Sequence, residues 1–243
     1  MTLPPSSLVP PRTWRRRLKR KDINNNNDSN KNEEEEEEEE EEFIISTDPR
    51  LLSVQAINAA FAMDFLYWAH PLPEDVLRQA LNGSLCFGVY RYIPNSNKSH
   101  NPDDDETPIS PDEVDQIGLA RLVTDTVTFA YLTDVYVLPA HQARGLGSWL
   151  LDCVAEALSA DHMPHLRRVM LLASARESDG GVAERFYAHK LGVEVKGREV
   201  REDSGIMGGT GRVLAIMGRR GAVPAVGVGG GEGEGEEGRR SRE

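Results

Sequence analysis

The sequence predicts a mixed α/β domain over residues 43–220, with one twisted, mostly antiparallel sheet of six or seven strands and helices on both faces. Three observations predict it. Apolar residues between Phe43 and Met217 switch repeatedly between the period of a strand and that of a helix. The strand-like runs 84–93, 116–124 and 127–138 follow one another with no helical pattern between them, which is the mark of antiparallel hairpins. The near-continuous apolar run from Arg168 to Ser174 then follows a helical segment, as the second strand of a parallel βαβ unit does.

Taken in order, Phe43-Ile44-Ile45-Ser46 reads as a short strand. Asp48-Pro49 is a helix-entry signal, with proline at a first helical position. Leu51, Val54, Ile57, Ala60, Phe61, Phe65 and Trp68 then share one face of a helix expected from Leu51 to Ala69. Pro71 and Pro73 stop it, Glu74 to Leu81 forms a second short helix, and Asn82-Gly83 turns the chain into the first of the three central strands. Asp125-Thr126 joins the second to the third. A helix from Gly145 to about Ala160 leads to the strand 168–174. A helix from Gly181 to Leu191, closed by Gly192, precedes two late strands, 193–200 and 212–217.

The flanks differ from this core. The formal net charge is −12, but residues 1–32 carry eight Lys or Arg against two Asp, and ten consecutive glutamates, 33–42, follow. Residues 1–42 are expected to be a disordered tail, basic and then poly-Glu, because such composition buries too little apolar surface to offset its ordering entropy. Residues 94–115 are expected to be a disordered acidic insertion within a hairpin, and 221–243 a Gly/Glu-rich tail. The core shows no broad basic face, so nucleic acid is not an expected partner. No apolar stretch approaches the ~20 residues of a membrane span, so no membrane partner is expected either. The cluster from Arg12 to Lys21 fits a nuclear localisation patch, a mitochondrial presequence or a solvated tail, so the expected compartment is cytoplasmic or nuclear, with mitochondrial import open. The Asn and Glu runs fit a fungal chain. The two cysteines, Cys86 and Cys153, each lie in an apolar run and make neither a disulfide framework nor a zinc pattern; no metal site is expected.

The chemistry concentrates in Asp134 to Leu151, DVYVLPAHQARGLGSWLL. A strand ends near Pro139, a loop carries Gln142, Ala143, Arg144, Gly145, Leu146, Gly147 and Ser148, and a helix begins within it. The unpaired amides of a first helical turn, with the helix dipole behind them, make an anion site. Glycines at 145 and 147 let a diphosphate approach the backbone closely. A Walker loop would need lysine after Gly147, where Ser148 stands. A dinucleotide fingerprint would need glycine at Leu150. The pattern that remains is Gln/Arg-x-x-Gly-x-Gly/Ala.

This stretch, with the later segment Ala183-Glu184-Arg185-Phe186-Tyr187-Ala188-His189-Lys190-Leu191-Gly192-Val193, resembles the GCN5-related N-acetyltransferases, the GNAT superfamily. The resemblance spans roughly 43–217 and implies a sheet whose fourth and fifth strands splay apart into a cleft. Acetyl-CoA would be the cosubstrate and an amine the acceptor. Val135, Tyr136 and Val137 would bond the pantetheine arm, the loop amides from Gln142 to Ser148 would hold the pyrophosphate, and Arg144 would add a charged contact. The resemblance implies direct transfer in a ternary complex, with Tyr187 as general acid toward the thiolate. Asp134, a carboxylate inside an apolar strand, is the candidate base, with pairing to Arg121 or to a neighbouring loop as its structural alternative; His141 and His189 are alternative bases by chemistry. Tyr67 and Trp68, with Phe65 and His70 near them, are candidates to line the acceptor site, and glycines 205, 208, 209 and 211 to form a lid. The competing function is a non-catalytic acyl-CoA-binding protein that keeps the fold. A monomer or homodimer is expected.

Overall fold

The computed structural model describes residues 9–19, 40–93, 109–175, 181–201 and 212–223. Much of the expected insertion, the proposed glycine lid and nearly all of the C-terminal tail lie outside the described residues. The strands are β1 (Thr13–Lys19), β2 (Glu40–Ser46), β3 (Leu85–Tyr92), β4 (Val114–Thr124), β5 (Phe129–Val137), β6 (Arg168–Ser174), β7 (Glu194–Arg201) and β8 (Arg212–Arg220). They form one eight-stranded sheet in the order β1-β2-β3-β4-β5-β6-β8-β7. Only β5 and β6 pair in parallel; every other neighbouring pair is antiparallel.

The helices are α1 (Val54–Phe61), α2 (Glu74–Asn82), α3 (Leu146–Ala157) and α4 (Val182–Leu191). The first two cover one face, where Ile57, Phe61, Leu66 and Leu77 pack on Leu119 and Tyr136. The last two cover the other, where Leu150, Val154 and Leu191 pack with Phe87, Leu132 and Leu171. Mixed sheet and two helical layers are as the periodicity implies; the strand count is one higher than expected.

The extra strand is β1, within the stretch expected to be an unstructured tail. Its partner supplies the reason. Arg17 pairs in register with Glu42, and Lys19 with Glu40, so the basic run and the end of the poly-Glu run meet as opposite charges across one antiparallel pair. Trp14 stacks on Phe87 with centroids 6.1 Å apart, its indole N–H donates to Glu156 at 2.9 Å, and the Arg16 guanidinium lies 4.7 Å over Trp149. These contacts strap the strand to α3.

The helix expected over Leu51–Ala69 is divided. Ser53 takes the N-cap position, its hydroxyl accepting from the Ala56 amide, so α1 begins only at Val54. Asn58 then holds Leu72 through both backbone groups, donating to its carbonyl at 2.7 Å and accepting from its amide at 3.0 Å. The chain is thereby drawn back, and Asp64–Leu66 forms a separate 3-10 turn that presents Phe65 and Trp68 toward the end of β5. Elsewhere the expected punctuation holds. Asp125 accepts from the amides of Val127, Thr128 and Phe129 and turns β4 into β5. Gly192, at φ 61°, closes α4 by donating to Ala188.

Candidate active site

The site begins with a mismatch of length between two parallel strands. β5 and β6 pair only from Phe129 with Arg168 to Leu132 with Leu171, yet β5 runs on to Val137 and β6 to Ser174. Beyond that point β5 follows β4 instead, with Tyr136 against Leu119 and Val137 against Gly118. Among the described residues the side of β5 that faced β6 is left without a strand neighbour, so its main-chain groups other than the Val137 carbonyl stay available to an extended ligand.

A bulge marks the parting. Between Leu119↔Tyr136 and Arg121↔Thr133 one residue of β4 faces two of β5, Asp134 and Val135. Asp134 has φ 52°, a left-handed conformation that Asp tolerates better than most residues. Its carboxylate accepts from Arg121 Nε at 2.7 Å, and Arg121 also donates to the Ser84 hydroxyl at 3.1 Å. The pair is largely buried and fixes the bulge from the α1/α2 side of the sheet.

The loop after β5 follows from the same end. Gln142 donates from its side chain to the Val137 carbonyl at 2.8 Å, pinning loop to strand. Ala143 at φ 60° and Gly145 at φ 77° curl the backbone, and Gly145 occupies the N-cap of α3 with no side chain to cap it. The first helical bond runs from the Trp149 amide to the Gly145 carbonyl at 3.0 Å. The amides of Leu146, Gly147 and Ser148 thus have no acceptor among the described residues. A Cβ built on Gly145 or on Gly147 meets nothing within 4 Å, so open space lies over both. A helix N-terminus with free amides and clear space above them suits a phosphate.

A cleft of about 400 Å³ joins these parts. Its wall brings together Val135, Tyr136, Val137, Gln142, Ala143, Gly145, Leu146, Gly147, Ser148, Trp68 and Tyr187 from the sequence-predicted set. Burial raises the Tyr187 phenol to about 12, with Tyr67 adding to the shift, so the hydroxyl stays protonated at any ordinary pH. Tyr67 is not among the lining residues; its ring lies edge-on to Trp68, with centroids 4.9 Å apart.

Two predicted residues are drawn elsewhere. Asp134 turns to Arg121 and does not line the cleft. Arg144 points away from the loop amides, donating to Glu41 at 2.5 Å and to the Lys19 carbonyl at 3.0 Å, with its guanidinium 4.6 Å over Phe43. The Asp134 partner is the one the sequence offered as its alternative, whereas the Arg144 partner could not be read from local spacing, because Glu41 lies 103 residues away. Leu150 and Phe186 line the cleft without having been singled out; Phe186 adjoins Tyr187 on α4, its ring 5.8 Å away. His141 lies outside this cleft, and its pKa is lowered by burial and then by Arg91 and Arg144. Among the described residues no cluster of His, Cys, Asp and Glu is placed to hold a metal, and no helix is long and apolar enough to cross a membrane.

Parallel strands that part beside a glycine loop and a helix N-terminus define the architecture of the GNAT acetyltransferases. The profile of the acetyltransferase (GNAT) family matches residues 78–193. FG08082 of Gibberella zeae, which carries the name of an acetyltransferase, is 42% identical over 166 residues, covering 68% of this chain and 85% of its own length. The acetyltransferase of GNAT family from Streptococcus pneumoniae superposes with a TM-score of 0.50 at 16% identity, over 73% of this chain and 99% of that one, a likeness of fold alone. The chain belongs to the GNAT acetyltransferase family.

Proposed function

We propose that the protein transfers an acetyl group from acetyl-CoA directly to a primary amine, within a ternary complex and without a covalent enzyme intermediate. The observation that carries the reading is the cleft itself: one set of walls brings together the unpaired side of β5, the residues of the free α3 amides and Tyr187. Acetyl-CoA suits these walls, with its diphosphate at the amides of Leu146, Gly147 and Ser148 and its amide-bearing arm along Val135–Val137. Tyr187, held protonated by burial, donates a hydrogen bond to the departing sulfur.

The base is assigned differently from the sequence expectation. Asp134 is committed to Arg121, so its proposed role is to hold the bulge and keep the cleft open. The acceptor then loses its ammonium proton to water before attack. Incubating the full chain with acetyl-CoA and a panel of amines, and following thiol release, tests the reading. Amine-dependent thiol release is expected; tight CoA binding with no release above blank would instead mark a non-catalytic binder.

A further inference from the structure

We infer that the acceptor is a primary monoamine carried on an aromatic or apolar body, as opposed to a polyamine or a lysine-rich segment. This rests on the acetyl-transfer reading above and names the substrate class of the same cleft. Phe65, Trp68, Tyr136, Phe186 and Tyr187 make its aromatic walls. Tyr136 is fixed by edge contacts with Phe61 and Phe65, each at 6.4 Å between centroids, whereas Trp68 remains 47% exposed. A tryptophan face left in solvent beside a cleft is surface for a ligand to cover.

Charge is what the walls lack. No described residue that lines the cleft bears one. Among the described residues, Asp134 is paired with Arg121, Glu184 with Arg198 at 2.8 Å, and Asp64 is exposed to solvent and outside the lining. Against these described walls a second or third ammonium would lose its water with no paired anion to replace it. A single ammonium is better served. Ring faces attract it on entry, and the apolar surroundings then favour its neutral form, which is the nucleophile.

The step balances without a carboxylate. The ammonium first gives one proton to water. The nitrogen lone pair then forms the C–N bond to the thioester carbonyl as the C–S bond breaks. The surplus proton on nitrogen ends on sulfur, where the Tyr187 hydroxyl stabilises the developing thiolate. Amide and free thiol are the products, and no oxidant or further reactant is needed.

The test compares three probes by calorimetry on the full chain: CoA, CoA linked through an S-acetyl bridge to 2-phenylethylamine, and the same conjugate of spermidine. The aryl conjugate is expected to bind at least about tenfold more tightly than CoA, and the spermidine conjugate no more tightly. Trp68→Ala, a change at an exposed position, should remove most of the aryl gain. An equal or larger gain for spermidine, or no gain for the aryl conjugate while CoA still binds, overturns this inference alone. Failure to bind CoA at all overturns the acetyl-transfer reading together with it.

Discussion

Arg121 meets Asp134 at 2.7 Å across the bulge where β5 leaves β6, and the pair joins the backbone irregularity to the cleft beside it. An ion pair this close and this sheltered costs more to break on one side than it contributes when intact, because the remaining charge is left unpaired. Asp134→Asn keeps a residue that accepts the left-handed backbone and loses only the charge; Asp134→Ala loses both. Urea unfolding should show a loss of about 1–2 kcal/mol for Asn and about 2–4 kcal/mol for Ala. The thiol-release rate of the Asn variant should stay within about tenfold of the parent, whereas removing a general base costs 10²–10⁴.

Tyr187→Phe removes the one hydroxyl proposed to stabilise the leaving sulfur and leaves the ring in place. The maximal rate should fall by about 10²-fold while CoA affinity by calorimetry changes little. An unaltered rate would assign Tyr187 to packing alone.

Alkaline pH should destabilise the fold through buried acids. Burial pushes the thiols of Cys86 and Cys153, and the phenol of Tyr187, up to about 12 in the folded state. In the unfolded chain thiols ionise near 8.5 and tyrosine near 10. Between those values and 12 the unfolded state holds fewer protons, so this part of the stability is complete below about pH 8.5 and is lost as pH rises toward 12. The urea midpoint should therefore drop between pH 8 and pH 10.5, and Cys86→Ala should reduce the drop. A midpoint that does not move over that interval would contradict the burial of these groups.

Arg144 is predicted to act as a strut for the β1–β2 hairpin and to leave phosphate binding to the loop amides. With its guanidinium between Glu41, the Lys19 carbonyl and the Phe43 ring, Arg144→Ala should cost about 1–3 kcal/mol of stability. CoA affinity should change by less than about threefold. A selective loss of CoA binding in a protein of unaltered stability would restore the phosphate contact that the sequence suggested.

What could be read from the sequence divides along the range of the interactions. The strand–glycine loop–helix at 129–157 is local: glycines at 145 and 147, the strand before them and the apolar stripe after them all lie within one stretch. The parallel pairing of β5 with β6 follows from a helix between two apolar runs. The strand β1 depends on Glu40 and Glu42 more than twenty residues away, so Thr13–Lys19 alone looks like a solvated basic tail. The same holds at the site. The loop, Tyr187 and Arg121 as a partner for Asp134 were legible, whereas the commitment of Arg144 to Glu41 exists only in three dimensions. The split of the expected 51–69 helix came from two polar side chains, Ser53 and Asn58, whose backbone bonds outweighed a sound apolar stripe.

The measurement closest to the central claim is CoA affinity after Gly147→Leu. A Cβ there meets nothing within 4 Å beyond its own helical turn, and φ is not in the left-handed region, so the fold should tolerate the change and the melting temperature should hold. If a diphosphate occupies that space against the amides of Leu146, Gly147 and Ser148, CoA binding should weaken by at least about 100-fold. Undiminished CoA affinity in the folded variant would contradict the account.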